Sequence, residues 1–245
     1  MFKINCFLLL FAFLLSQASA GSSSDIYRAQ YEFNRGNFII AFELYKKSAS
    51  NGSATAMFQV ASMLEHGQGV SRNLVEAAKW YEKSSMAGSA SGAKRLAIIY
   101  QDGVVYQKDI NKAIVNYDLA ARLGDVSSMF LLGRIYWDGE HVGKDQKKAL
   151  VYFEMAAKKG HCHAMNAIAI MYRIGDGVEK NNVESYAYFK LAAKFGDRAA
   201  GDNIKQLIGF ISSNEIESGE SRYRDLVDRI ELDSSVSYSG CGKFK

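Results

Sequence analysis

The chain has no proline among its 245 residues. Proline removes a backbone donor and breaks helix interiors, so its complete absence agrees with nearly uninterrupted helix. Cysteine is almost as scarce: Cys6, Cys162 and Cys241 are all there is. So few thiols exclude a disulfide scaffold, and stability has to come from packed helices. A large excess of one charge is also missing. The net formal charge is +4, too mild for the clustered basic face expected of a nucleic-acid binder. Nor is there a run of the roughly 20 apolar residues that a stable bilayer span requires.

The N-terminus has its own pattern. Met1-Phe2-Lys3 is a short basic start, Phe7 to Leu15 is unbroken apolar sequence, and Ala18-Ser19-Ala20 supplies small residues before Gly21. This order is that of a secretory signal peptide over 1–20, with a retained anchor as the alternative. No cysteine follows the small residues, which argues against a lipoprotein anchor. The expectation is an exported chain, periplasmic or secreted, that begins at Gly21. Cleavage removes Lys3 and Cys6, leaving 29 basic against 26 acidic residues. Cys162 and Cys241 then remain, either paired in an oxidising compartment or as free thiols.

What the chain has in abundance is repetition. Glycine recurs at 52, 88, 124, 160 and 196, a constant interval of 36 residues. A period of this size marks a solenoid, whose units are stable only against their neighbours. The four blocks of 53–196 share a small fourth residue (Ala56, Gly92, Ser128, Ala164), an aliphatic eighth (Val60, Leu96, Leu132, Ile168) and a small ninth (Ala61, Ala97, Gly133, Ala169). These spacings fall on one face of a first helix, where small residues admit a close neighbour. Gly67, Gly103, Gly139 and Gly175 are placed to end that helix in a left-handed cap. Asn73, Asp109, Asp145 and Asn181 are placed to cap a second. That second helix carries the aromatics Tyr81, Tyr117, Phe153 and Phe189. Each block therefore reads as a helix–turn–helix hairpin, and the expected fold is an all-α, right-handed α-solenoid of stacked hairpins.

Gly67-Gln68-Gly69-Val70, Gly175-Asp176-Gly177-Val178 and the second-helix segment from Ala149 to Ala157 carry a resemblance to the SEL-one-like repeat, a relative of the tetratricopeptide repeat. Blocks two and three depart from it, with Val105 and His141 where the loop's second glycine belongs. Residues 21–52 hold a shorter opening hairpin, tetratricopeptide-like in its tight turn. Residues 197–232 read as capping helices with the polar outer face a terminal repeat needs, and 233–245 as a flexible tail. The resemblance implies a non-catalytic protein that binds partners, as a scaffold or adaptor of an envelope complex. It also leaves open an immunity protein that neutralises an antibacterial effector such as a secreted lipase, or an outward-secreted host-contact protein. Cysteine-rich relatives linked to β-lactam binding or hydrolysis carry a cysteine pair in every repeat. Here block four alone has a cysteine, so a β-lactamase-like enzyme is the least supported alternative.

No catalytic constellation stands out. His161-Cys162-His163 uses zinc-ligand residue types, but three adjacent ligands cannot easily wrap one ion, and blocks one to three have Ser53, Ser89 and Asp125 at the same helix start. The G-x-G turns follow helices rather than strands, unlike nucleotide loops. No catalytic residue, metal ligand or cofactor is therefore assigned. The face of the first helix opposite its packed stripe is more telling. It carries Phe58, Lys94, Ile98, Phe130, Arg134, Trp137, Ile170 and Arg173, and in superhelical hairpin repeats this face lines a concave groove. Aromatics and arginine are the types enriched at binding hot spots. These eight are the candidate partner-binding residues, for a protein or peptide and not for nucleic acid. The alternative is that neighbouring hairpins bury some of them.

Overall fold

The computed structural model describes residues 24–231; the leader 1–20, the tail 233–245 and Cys241 lie outside the described residues. Among those described there are twelve helices and no strand. The first, α1, spans 24–34. Then follow α2 (Phe38–Ser50), α3 (Ala54–His66), α4 (Leu74–Met86), α5 (Ala90–Asp102), α6 (Ile110–Arg122), α7 (Val126–Asp138), α8 (Gln146–Lys158), α9 (Cys162–Ile174), α10 (Asn182–Lys194), α11 (Arg198–Ile208) and α12 (Ser213–Glu231). The chain is an all-α solenoid of tandem hairpins. It divides into two compact units between Gly124 and Asp125, so that α1–α6 form unit 1 and α7–α12 unit 2.

Helix ends are set by the residues that the repeat columns single out. Asn73, Asp109, Asp145 and Asn181 each accept the backbone N–H three residues on through the side chain, satisfying an otherwise orphaned donor. Gly67, Gly103, Gly139 and Gly175 end α3, α5, α7 and α9 in the left-handed region. The loop that follows returns to its own first helix. The N–H groups of Asn73, Asp109, Asp145 and Asn181 donate to the carbonyls of Leu64, Tyr100, Tyr136 and Tyr172, each at 2.9 Å. This closure explains why block two keeps the hairpin without a second loop glycine, and block three without one at the place of His141. In block one a Cβ on Gly69 would lie 2.3 Å from the backbone of Phe38, so that glycine is needed for contact with the preceding repeat. In block three the left-handed residue is Gly143 instead.

The small columns mark close helix approach. A Cβ on Gly92 would stand 2.7 Å from Ser84 Oγ, and one on Gly133 2.5 Å from the Phe153 ring. Tyr45, Val60, Leu64 and Tyr81 fill the core of unit 1; Leu132, Phe153, Ile168 and Phe189 fill that of unit 2. The last helix breaks the hairpin rule. Instead of running back along α11, α12 packs on α10, where a Cβ on Gly219 would meet the Tyr186 ring at 2.6 Å.

Candidate functional site

A rule of pairing links the thirteenth residue of each block to the aromatic of its own second helix. In unit 1 the aromatic is tyrosine and the partner an acceptor. The Tyr81 hydroxyl donates to Glu65 Oε2 at 2.7 Å, and the Tyr117 hydroxyl to Gln101 Oε1 at 2.8 Å. In the opening hairpin the Tyr45 hydroxyl donates to Gln30 at 3.0 Å. In unit 2 the aromatic is phenylalanine, which has no hydroxyl, and the partners change. Trp137 meets Phe153 edge-on with centroids 5.6 Å apart, and the Arg173 guanidinium lies 6.0 Å from the Phe189 ring. Such ring and cation–π contacts exploit the ring quadrupole where no polar handle exists.

The eight candidate residues fall around these pairs. In unit 1, Phe58 is half-buried and leans on Tyr81, with centroids 5.5 Å apart. Lys94 and Ile98 are half-buried on α5. Between them Arg95 reaches back to the Glu65 carboxylate, its Nε donating to Oε2 at 3.0 Å and its Nη2 pairing with Oε1. Burial pushes the Tyr81 phenol up to about 12, so it stays a neutral donor.

Unit 2 is denser. Phe130 stacks on the His161 imidazole at 4.5 Å and tilts against Phe153 at 5.8 Å. Trp137 Nε1 donates to Asp176 Oδ2 at 2.6 Å, across to the α9–α10 loop. Arg134, between Phe130 and Trp137 on the same face of α7, is exposed and within 3.4 Å of Asp138. Ile170 and Arg173 are half-buried on α9. The face is thus neither a closed core nor a bare surface: seven of its eight members are half-buried and Arg134 is exposed.

Sequence patterning placed His161 at a helix start but missed its stacking on Phe130, and it missed Asp176 and the residues paired with the second-helix aromatics, apart from Trp137 and Arg173. A signal was present: where that aromatic is Tyr the thirteenth residue is Glu or Gln, and where it is Phe the thirteenth is Trp or Arg.

The His-Cys-His cluster resolves into separate roles. His161 is the N-cap of α9, its Nδ1 accepting from the Ala164 N–H at 3.3 Å. Burial first, and then the neighbouring His163, pull its pKa down to about 4, so the ring is neutral and can accept. His163 faces Asp197, with Nδ1 and Oδ2 2.9 Å apart, and the same Asp197 caps α11. Cys162, His163 and Asp197 bring possible ligand atoms within 4.8 Å of one another. Cys162, however, is disulfide-bonded, which withdraws its sulfur as a thiolate ligand. Cys241, read from the sequence as either paired with Cys162 or free, lies outside the described residues.

Comparison with known proteins sets this geometry in context. The Sel1 repeat profile matches residues 34–53, 54–89, 90–125, 126–161 and 162–197. The last four matches are the blocks read from the glycine interval, displaced by one residue, and the first, partial match takes in α2. A Sel1 repeat protein from Oxalobacter formigenes is 24% identical, with a TM-score of 0.66 over 86% of this chain and 87% of that one. The protective antigen c5321 of uropathogenic Escherichia coli, which has an SLR fold, is 20% identical with a TM-score of 0.51. That match covers 93% of this chain and 59% of that one. The immunity protein Pa5087 from Pseudomonas aeruginosa is 19% identical over 84% and 81% of the two chains, with a TM-score of 0.43. No curated protein sequence matches the chain. Repeats of this kind generally mediate protein–protein interaction.

Proposed function

The chain belongs to the Sel1 repeat family, and from that premise we propose that it is a non-catalytic scaffold or adaptor that holds a protein or peptide partner on the first-helix face of its hairpins. The observation that carries this reading is the group Phe130, Arg134 and Trp137. An exposed guanidinium stands between two half-buried rings, a combination of residue types concentrated at hot spots. The rings are held from behind by Phe153, His161 and Asp176, so the surface is ordered before a partner arrives and less entropy is lost on binding. The basic, apolar and small-residue order of the leader supports export to the periplasm or beyond, where the partner would be an envelope protein.

The test begins with the chain from Gly21 as bait for envelope fractions, followed by affinity measurement on the captured protein. Arg134→Glu, at an exposed position, is expected to weaken binding at least tenfold with helix content unchanged. Trp137→Ala is expected to cost about 2 kcal/mol of binding or more, as hot-spot truncations do. A captured partner that binds both variants as tightly as wild type overturns the assignment of this face. An antibacterial effector among the captured proteins would redirect the role from scaffolding to immunity.

A further inference from the structure

We propose a second docking surface, the groove between α4 and α6 on the second-helix side of unit 1, and that its occupant is an amphipathic helix from a different protein. The reasoning starts in unit 2, where the same groove already holds a helix. The space between α8 and α10, about 380 Å³, is lined by Glu154, Tyr188 and Leu191 and is roofed by Arg222, Leu226 and Ile230 of α12. The α12 helix is fastened there by three polar anchors. Glu215 accepts from Asn182 at 2.9 Å, and Glu220 accepts from Tyr186 and Lys190 at 2.8 and 2.6 Å. Arg222 Nε donates to Glu184 at 2.7 Å.

Two repeats earlier, the corresponding residues Glu82, Asn116 and Leu119 line a groove of about 450 Å³ between α4 and α6, together with Met86, Leu96 and Val115. Among the described residues its lining comes from α4, α5, α6 and the Asp109 cap alone; no counterpart of α12 roofs it. Met86 is 83% and Val115 66% exposed, large apolar side chains facing water on a groove whose twin is helix-covered.

The polar anchors identify which helix fits. Lys112 stands where unit 2 has Glu184, and Asp118 where it has Lys190, so both charges are reversed. Ile110 and Ile114 replace Asn182 and Tyr186, and Met86 replaces Lys158, so the surroundings are more apolar. The α12 helix of a second copy would bring Arg222 against Lys112 and Glu220 against Asp118, two like-charge pairings that specificity arguments penalise. The fitting helix carries an acid at the place of Arg222, a base at the place of Glu220, and apolar residues at the places of Leu226 and Ile230. Lys112 and Asp118 now face Asp109 at 3.6 Å and Arg122 at 2.7 Å, pairs in which the base is exposed and the acid half-buried and which solvent screens.

The probe is a helical peptide of residues 213–231, stapled between the exposed positions 217 and 221, prepared with its native charges and with E220K and R222E together. Binding to the full chain from Gly21 is followed by fluorescence anisotropy. The charge-swapped peptide is expected to bind at least tenfold more tightly than the native one and to lose that binding on Val115→Glu. The chain carrying Lys112→Glu and Asp118→Lys is expected to reverse the preference. Equal binding of the two peptides, no binding of the swapped one, or indifference to Val115→Glu overturns the proposal. A preference of the wild-type chain for the native peptide, with concentration-dependent self-association, assigns the groove to a second copy and overturns it too. The surface lies on α4 and α6, so it can fail while the first-helix face stands, and the reverse.

Discussion

Units 1 and 2 solve one packing problem with different chemistry. Both must seat a second-helix aromatic beneath the thirteenth residue of the first helix. Unit 1 uses tyrosine and satisfies its hydroxyl with Glu65 or Gln101. Unit 2 uses phenylalanine and covers it with Trp137 or Arg173. The lesson is that a repeat position is not conserved in isolation: what is kept is a compatible pair. A buried hydroxyl needs an acceptor, while a bare ring is best covered by another ring or a cation.

The heaviest blow to this comparison is Phe153→Ala. The ring is fully buried and touches Phe130, Trp137 and the Gly133 backbone. Its removal is expected to cost unit 2 about 3–5 kcal/mol in urea unfolding, the usual penalty for a large core cavity.

Acid separates the units next. His161 keeps its pKa near 4 in the folded state against an ordinary value of 6.5. Between those values the unfolded chain takes up a proton that the folded chain refuses, so stability falls as pH drops from 6.5 toward 4. The loss levels off below that, after about 3 kcal/mol at most. Unit 1 has Ser53 and Ser89 at the equivalent caps and lacks this sensitivity. His161→Ser is expected to flatten the pH dependence of unit 2 in thermal melts; a profile unchanged by that substitution would contradict the role given to the imidazole.

A finer cut is Tyr81→Phe, which converts a unit 1 pair to the unit 2 ring without the matching partner. Glu65 keeps Arg95, so the cost is expected to be about 1.5–3 kcal/mol, one hydrogen bond to a charged acceptor. Adding Glu65→Trp should recover part of it if the pairing rule holds, read from the same unfolding curves. Smallest of all is Arg134→Ala. Its tie to Asp138 is exposed on both sides, so stability should move by less than about 0.5 kcal/mol even though partner binding suffers.

The hairpins themselves were legible because their signals are local. Caps such as Asn73 and Asp145 and the left-handed Gly103 act within a few residues, and the apolar columns follow from helix periodicity. His161 was recognisable as a cap from its column, since Ser53, Ser89 and Asp125 precede it there. The pairs Glu65–Tyr81 and Trp137–Phe153 were not legible, because they depend on how two helices cross, which periodicity does not encode. The same limit applied to α12: a divergent helix after α11 suggests one more hairpin, yet its charges match those on α10. For the first-helix face, periodicity assigns the side each residue takes and leaves burial by neighbouring hairpins as the alternative; that seven of the eight are half-buried depends on how far a neighbour reaches, which single-helix geometry does not say.

One feature of the loops extends beyond stability. Each hairpin returns the N–H of its second cap to a carbonyl of its own first helix, as Asn73 does to Leu64 and Asn181 to Tyr172. This tie of each inter-helix loop is therefore closed inside the repeat that contains it. Cutting the chain at equivalent points one block apart removes or duplicates a whole block and leaves this tie intact in each neighbour. The 36-residue block is in this sense a cassette, and the length of such a chain can change by recombination in whole steps while each surviving hairpin keeps the shape it had.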